Sequence, residues 1–476
     1  MSIWYNSQIK RINPLAWWKE KKVKIVIIGG GKVGSKLSEE LSNESHDVTV
    51  IEKDVDVINR INSNQDVACI NGNAINYEIQ KEAGVESADL LIGCTSSDEI
   101  NMFSCLFAKK LGAKNTIARV RNPEYYNQLN YIKEELGLSM VINPEYVAAN
   151  VISRILRFPS AIKVETFAKG KVELMEFKIY ENSKLPGMQM KDLVGTFGVK
   201  ILVCAVQRKE DVFIPDGNFS FEPGDKLSIA GSHADLEKFL KRVGGLKRKV
   251  KTVMIIGGGK IAYYLCKSLE NINIKTKIIE RDLKTCHFLA QHLPRVDIIY
   301  GDGTDNQLLE EEGINDVDAF VSLTGIDEEN IIMSMYANSK GVSKVITKIS
   351  QSTFKDMTDT FNLDTVISPK ELTSTRILQY VKAMNNSYGS QLNSLYRIVN
   401  DKVEVLEFSV NATGRIVNQP LRDLKFKKGM LIACIVRDGK IIIPGGDDRI
   451  LVGDNIIIVT SSLRIADIED ILKRNV

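Results

Sequence analysis

From Lys24 onward, short apolar blocks alternate with stretches in which apolar positions recur three and four residues apart. The first pattern predicts buried strands and the second amphipathic helices. Strands are predicted over residues 24–28, 47–51, 67–70, 88–92, 116–120 and 141–142, with helices over 33–41, 55–62, 77–83, 98–111 and 125–136. Regular alternation of strand and helix implies a parallel sheet covered on both faces, a Rossmann-like half. The rhythm then changes. Residues 150–157 read as a helix ended by Pro159, and 163–230 as short alternating strands. Turns are marked by Pro186-Gly187, Pro215-Asp216-Gly217 and Pro223-Gly224-Asp225, and a helix over 234–241 closes this smaller α+β module.

After a basic stretch running from Gly244 to Lys249, the plan repeats. Ile25-Val26-Ile27-Ile28-Gly29-Gly30-Gly31-Lys32-Val33-Gly34 returns as Val253-Met254-Ile255-Ile256-Gly257-Gly258-Gly259-Lys260-Ile261-Ala262. Glu52-Lys53-Asp54 returns as Glu280-Arg281-Asp282, and Gly72-Asn73-Ala74 faces Gly301-Asp302-Gly303. The run from Thr95 to Asn101 parallels that from Thr324 to Asn330, and Gly224-Asp225 parallels Gly453-Asp454. A two-domain unit is therefore duplicated. The expected fold class is α/β, a tandem pair of Rossmann-like domains, each followed by a small α+β domain. The expected boundaries are an extension over 1–22, a first Rossmann-like domain over 23–145 and a first small domain over 146–243. A linker over 244–252, a second Rossmann-like domain over 253–372 and a second small domain over 373–476 complete the plan.

The glycine turns carry the candidate chemistry. Gly29-x-Gly31-x-x-Gly34 follows a strand and opens a helix, the context a dinucleotide site needs. Gly29 allows the tight turn, Gly31 lets backbone approach a pyrophosphate, and Gly34 allows close helix–strand packing. The helix start, with Lys32 and Val33, offers free N–H groups and a positive dipole end to phosphate. Glu52 ends the second strand, where a carboxylate accepts from ribose hydroxyls and repels a 2′-phosphate. That favours NAD or an adenosine phosphate over NADP. In the second copy Gly257, Gly258, Gly259, Lys260, Ile261 and Glu280 take the same places, with Ala262 for the third glycine. The bland alternative is that these glycines only shape a turn.

Further candidates lie at the strand ends. Thr95 and Ser96 end the fourth strand, with hydroxyls suited to a ribose or phosphate, while Asp98 and Glu99 are expected to cap the next helix. Arg119 and Arg121, two apart on the fifth strand, are expected on one face and could fork onto terminal phosphates. A surface ion pair is the alternative. The second copy has Lys348 and Ser350 there, so the two sites should differ in ligand preference. Glu145, replaced by Lys370 in the second copy, is read as a helix cap, with a cation-binding carboxylate as the alternative.

Composition narrows the classes. A net charge of +3 over 476 residues offers no case for nucleic acid. No apolar run approaches the ~18 residues of a membrane span. Seven cysteines fall in no C-x-x-C spacing and read as buried free thiols, and the four histidines form no zinc pattern with them. Trp4, Trp17 and Trp18 cluster before Lys19-Glu20-Lys21-Lys22, which suits a membrane interface, a partner groove or a poorly ordered leader.

The strand–glycine turn–helix, the ribose acid, the G-N-A turn, the A-R-V-R strand and the repeated small module together resemble tandem RCK (regulator of potassium conductance) domains. The doubled order of large and small module is similar to the peripheral nucleotide-binding subunits of Trk-type potassium uptake systems. The resemblance implies a regulatory protein rather than an enzyme, on the inner face of the plasma membrane. It also implies a homo-oligomeric ring, expected to be tetrameric, beneath an integral-membrane potassium-translocating subunit of the TrkH/TrkG kind. NAD(H) and ATP/ADP are the implied regulatory ligands. Carried over by the resemblance, the contacts fall on Gly29, Gly30, Gly31, Lys32, Val33, Glu52, Thr95, Ser96 and Arg119 and on the second-copy residues named above. Asn73, where the second copy keeps Asp302, departs from the family's G-D turn. The rival reading is an NAD-dependent oxidoreductase with duplicated Rossmann domains. Its weakness is the lack of a suitably placed proton relay, since His46 precedes the second strand and His287 and His292 follow Glu280. A nucleotide-dependent scaffold is a third reading.

Overall fold

β1 (Lys24–Ile28) runs between β2 (Asp47–Glu52) and β4 (Leu90–Gly93), both parallel to it, in the computed structural model of the chain. Described are residues 22–209, 211–244, 249–270, 272–351, 354, 361, 363, 365–385, 390–398, 402–427, 429–461, 465 and 467–473. The tryptophan-rich leader and residues 245–248 of the expected linker lie outside them. With β3 (Ala68–Asn71), β5 (Asn115–Arg119) and β6 (Met140–Ile142) the sheet order is β3-β2-β1-β4-β5-β6, the doubly wound arrangement expected. Its central strands β1 and β4 are continuous apolar runs because helices cover both faces. α1 (Lys32–Asn43), α2 (Val55–Asn64), α3 (Tyr77–Glu82) and α4 (Asp98–Leu111) supply that cover.

The helix caps differ from expectation. Ser97, not Asp98 or Glu99, caps α4, its side chain accepting from the Ile100 N–H. α5 (Pro123–Ile132) starts and ends earlier than the periodicity suggests. α6 (Pro144–Arg157) begins well before residue 150. Asn143 caps it, accepting from Tyr146 N–H at 2.9 Å, and Pro144 occupies the first helical position, where a missing N–H costs nothing. Glu145 sits in the first turn without being the cap.

The chain divides into two compact units, one reaching to Arg119 and including Tyr131–Val141, the other made of Val120–Asn130 and the chain from Ile142 onward. In the second unit α6 lies along α9 (Lys260–Glu270), the first helix of the second Rossmann-like domain. Ala148, Ile152 and Ile155 join Leu265 and Leu269 in one buried cluster. Beside it the Asn143 side-chain amide donates to the Tyr264 hydroxyl at 2.9 Å. Burial pushes the Tyr264 phenol up, so it stays a neutral hydroxyl. The second sheet repeats the first, with β12 (Thr252–Ile256), β13 (Lys275–Glu280), β14 (Val296–Tyr300), β15 (Ala319–Ser322), β16 (Lys344–Lys348) and β17 (Val366–Ile367). Its order is β14-β13-β12-β15-β16-β17. α10 (Leu283–His292) and α12 (Asp327–Ser339) stand in the places of α2 and α4, with α11 (Asn306–Glu311) between them.

Each small module is a five-stranded sheet, the first packed against α7 (Met190–Phe197) and α8 (His233–Val243). β7 (Lys163–Phe167), β8 (Val172–Lys178), β9 (Ile201–Arg208), β10 (Asp211–Phe213) and β11 (Lys226–Gly231) take the order β10-β9-β11-β8-β7. β18 (Ser390–Ile398), β19 (Val403–Val410), β20 (Met430–Arg437), β21 (Lys440–Ile442) and β22 (Asn455–Thr460) take the order β18-β19-β22-β20-β21. The two sheets share one core in which Phe167, Val172 and Cys204 meet Val405, Cys434 and Val459. The repeated Gly-Asp pairs have a physical reason. Gly224 and Gly453 take φ of +89° and +95°, and the buried carboxylate that follows receives an arginine fork. Arg208 donates to both oxygens of Asp225 at 2.8 Å, and Arg437 does the same to Asp454. The Leu451 N–H supplies Asp454 with a third donor at 2.8 Å. Asp454 is 1% exposed, whereas Arg437 reaches water. Removing the arginine therefore strands a buried carboxylate. Arg437→Met is expected to cost roughly 3 kcal/mol, read as a drop in thermal melting temperature. Asp454→Asn should cost less, because its partner can turn to solvent.

Candidate functional site

At the end of β1 the backbone must turn sharply, and Gly29 does so at φ +97° while its N–H donates to the Ile51 carbonyl at 2.9 Å. A side chain there would meet Thr95 N at 2.9 Å, and one at Gly34 would lie 1.8 Å from the Gly29 carbonyl oxygen. A Cβ at Gly30 would press on Ile61 and Val57 at 2.8 and 2.9 Å. Gly31 is different. Its φ of −63° suits any residue, and a Cβ built on it meets nothing within 4 Å. Gly31 is also the N-cap of α1 and supplies no side-chain cap, although Asp54, Asn76 and Ser97 each cap the helices after β2, β3 and β4. Of these four helices, the one after the glycine loop opens its first-turn N–H groups, with exposed Lys32 beside them, onto free space. Val33 is buried beneath.

Glu52 reaches back over this loop. Its carboxylate accepts from Gly30 N–H at 2.6 Å, Lys53 N–H at 2.8 Å and Asp54 N–H at 3.1 Å. A carboxylate offers about four lone-pair sites, so roughly one is left for a ribose hydroxyl. Across the switch point the buried Asn101 organises the ends of β4 and β5. It accepts from the Thr95 N–H and hydroxyl at 2.7 and 2.8 Å and donates to the Thr95 and Arg119 carbonyls at 3.2 and 2.9 Å. Thr95 thus spends its hydroxyl inside the loop, while Ser96 is exposed. The Arg119 guanidinium also donates to the Thr95 carbonyl. Cys94 lies under the turn, its thiol donating to the Ile28 and Gly29 carbonyls at 3.3 Å, and burial pushes it up to about 12. It is a packing group, not a nucleophile.

β5 ends at Arg119, and beyond it the Val120 N–H still donates to the Ile142 carbonyl at 3.0 Å. Val120 is buried between half-buried Arg119 and Arg121. The Arg121 carbonyl lies 3.5 Å from the Tyr264 hydroxyl, which donates to it.

The second cradle repeats the first with substitutions. Gly257 turns at φ +96° and donates to the Ile279 carbonyl at 2.9 Å, and a Cβ at Gly259 again meets nothing within 4 Å. Lys260 is exposed, Ile261 half-buried and Ala262 buried. Glu280 accepts from Gly258 and Asp282 N–H groups at 2.6 and 2.7 Å, two backbone donors against three on Glu52. Asn330 holds the Thr324 N–H at 2.9 Å and the Lys348 carbonyl at 3.1 Å, as Asn101 does in the first copy, and Lys348 donates to the Thr324 carbonyl. Asn73 and Asp302 prove to be equivalent turn formers, accepting from Ile75 N–H at 3.1 Å and Thr304 N–H at 2.9 Å. Sequence reasoning misses Asn101 and Asn330 as organisers of the site, although their recurrence at matching positions is an available signal.

Among the described residues, no group of three or more His, Cys, Asp or Glu could hold a metal ion. No described helix is long and apolar enough to cross a membrane. His292 stacks on Phe288 at 4.2 Å, its Nδ1 lying 2.8 Å from the Phe288 carbonyl on α10.

Known proteins share this duplicated geometry. The TrkA-N domain matches residues 25–144 and 253–369, and the TrkA-C domain matches 174–244 and 405–473. A Trk system potassium uptake protein TrkA homolog of Methanosarcina mazei is 35% identical over 460 residues, covering 95% of this chain and all of the relative. The TrkA homolog of Archaeoglobus fulgidus is 34% identical, again over 95% of the chain and all of that protein. TrkA of Halomonas elongata is 32% identical over 94% of the chain and 98% of its own length. Among solved structures, the GsuK channel aligns with a TM-score of 0.62 at 16% identity, covering 93% of this chain and 77% of that one. A structure of the GsuK channel bound to NAD aligns at 0.61 with the same coverage. At that identity the likeness concerns the fold alone. The matched domains and the identity over nearly the whole length establish that the chain belongs to the TrkA family of Trk-system potassium uptake proteins, with the TrkA-N and TrkA-C pair present twice.

Proposed function

We propose that the chain is the nucleotide-sensing regulatory subunit of a membrane potassium uptake system, lying on the cytoplasmic side of the translocating subunit and assembling into a ring, most simply a tetramer. The observation that carries this reading is the pair of open glycine-loop helix starts, each with a ribose-facing acid already held by backbone donors. A bare helix start attracts anions through oriented N–H groups and the helix dipole. Gly29, Gly30, Gly31, Lys32 and Val33 would hold the phosphates of one ligand, and Gly257, Gly258, Gly259, Lys260 and Ile261 those of a second. Glu52 and Glu280 select an unphosphorylated ribose 2′-hydroxyl, so NAD(H) and ATP/ADP fit where NADP does not. The NAD-bound GsuK channel among the fold neighbours supports the same ligand class.

The arrangement suits regulation better than hydride transfer. The small modules turn their apolar faces to each other and bury them, leaving the Rossmann sheets without a substrate domain of the usual kind. Occupancy then acts by population shift. A nucleotide moves the conformational equilibrium only by its difference in affinity between two states, with couplings of ~1–3 kcal/mol typical. Discrimination between ATP and ADP requires a cation that meets the terminal phosphate. Arg119, at the carboxyl end of β5, is the residue proposed for it.

Gly31→Asp tests the first cradle directly. The backbone there tolerates a side chain, so stability should change by less than about 0.5 kcal/mol, while the added carboxylate repels phosphate. Calorimetry should show one nucleotide lost per chain in Gly31→Asp, one in Gly259→Asp and both in the double variant. Unchanged stoichiometry places the ligand elsewhere. Arg119→Ala should cut the ATP-over-ADP preference by roughly fivefold or more while NADH binding holds, and equal loss of all three ligands contradicts the assignment. Function is read as rubidium uptake into proteoliposomes carrying the membrane subunit. Nucleotide should alter uptake when the wild-type chain is added and should fail to do so with the double glycine variant.

A further inference from the structure

The carboxyl ends of β12, β13 and β14 stand side by side, and each presents one element of a site. β12 feeds the glycine turn, β13 ends on Glu280 and β14 ends on Tyr300. Glu280 and Tyr300 are register partners in the parallel pair, so they share a sheet face. The core confirms which face this is. Ile278 and Ile298, two residues before each, join the same buried cluster beneath α9 and α10. Past the edge of that cluster Glu280 is half-buried, and Tyr300 is 62% exposed. An aromatic side chain so exposed on an ordered strand end gains little from packing.

The first copy lacks this feature. Its register partner of Glu52 is Asn71, whose amide folds inward to donate to the Glu52 and Lys53 carbonyls at 3.2 and 3.1 Å. Tyrosine in one copy and a tied-down amide in the other is a difference in ligand surface at one position of a duplicated frame.

We infer that Tyr300 is a stacking shelf for the nucleobase at the second cradle, so that the two sites of one chain grip the same adenine nucleotide unequally. The order along the sheet is the order of the ligand's parts. Phosphates belong at the β12 turn, the ribose at Glu280 on β13, and the base at the next strand outward. Bases stack on an aromatic face whatever their edge pattern. Tyr300 therefore adds affinity for any nucleobase and none for phosphate alone. The inference rests on the nucleotide reading proposed above and adds the specificity of its second site.

The test uses the full chain carrying Gly31→Asp, which leaves only the second cradle. Titration calorimetry with ADP and with NADH is compared for this parent and for its Tyr300→Ala and Tyr300→Phe variants, with inorganic pyrophosphate as a base-free competitor. Tyr300→Ala should weaken both nucleotides by about fivefold or more, Tyr300→Phe should keep the parent's affinity, and pyrophosphate should bind equally well to all three. Asn71→Tyr in a Gly259→Asp chain should tighten ADP at the first cradle. ADP binding unchanged by Tyr300→Ala overturns the inference, as does a Phe variant that falls as far as the Ala variant. A parent that binds neither nucleotide while the wild-type chain binds them overturns it too. A wild-type chain that binds neither removes the nucleotide reading beneath it.

Discussion

The first site depends on how near α1 comes to the turn that launches it, while the second copy carries Ala262 in the place of Gly34. At Gly34 there is room for a hydrogen and nothing else, since a methyl group would sit 1.8 Å from the Gly29 oxygen. That approach brings the start of α1 to the carboxyl edge of the sheet, where its first N–H groups have no side-chain cap. Leaving helix donors uncapped costs stability, and proteins normally avoid it. Here the helices after the neighbouring strands are capped by Asp54, Asn76 and Ser97. Of these four, the glycine-loop helix starts without a side-chain cap, which is where the proposed phosphate would complete it. The acid on β2 then bonds to the same loop through Gly30, which ties the helix start and the Glu52 carboxylate together.

Duplication makes this a comparison within one molecule. The parts that build the frame recur almost atom for atom, including Asn101 with Asn330, the Arg–Asp forks and the acid-to-glycine bond. The parts to which the proposal assigns a ligand differ. Glu280 carries fewer backbone donors than Glu52, Lys348 stands for Arg119, and Tyr300 stands for Asn71. Such a distribution is what two cradles of shared architecture and separate ligand preference require. The buried helix α6 and the shared core of the small modules give the second unit the packed elements through which occupancy can be felt at a distance.

Much of this is legible in the chain. Continuous apolar runs of Val, Ile and Leu between amphipathic segments announce a covered parallel sheet, and the glycine spacing locates both turns. The ends of elements are less legible, because caps depend on which side chain bends back. Asp98 and Glu99 look like caps, yet Ser97, one residue earlier, has the extended backbone that capping needs. The end of β5 is also hard to read, because the strand stops at Arg119 while the Val120 N–H still bonds to the Ile142 carbonyl. Asn101 and Tyr300 are hidden for the opposite reason. Each is ordinary by type, and only cross-strand register or a partner distant in sequence gives it a role.

The central claim is that nucleotides dock at two backbone cradles and act by occupancy. Hydrogen exchange of the intact wild-type chain, measured by mass spectrometry with and without saturating nucleotide, tests it most directly. Peptides spanning Gly29–Val33 and Gly257–Ile261 should both gain protection, with the nucleotide recovered chemically unchanged. No protection at either loop, or conversion of the nucleotide during the exchange, contradicts the account.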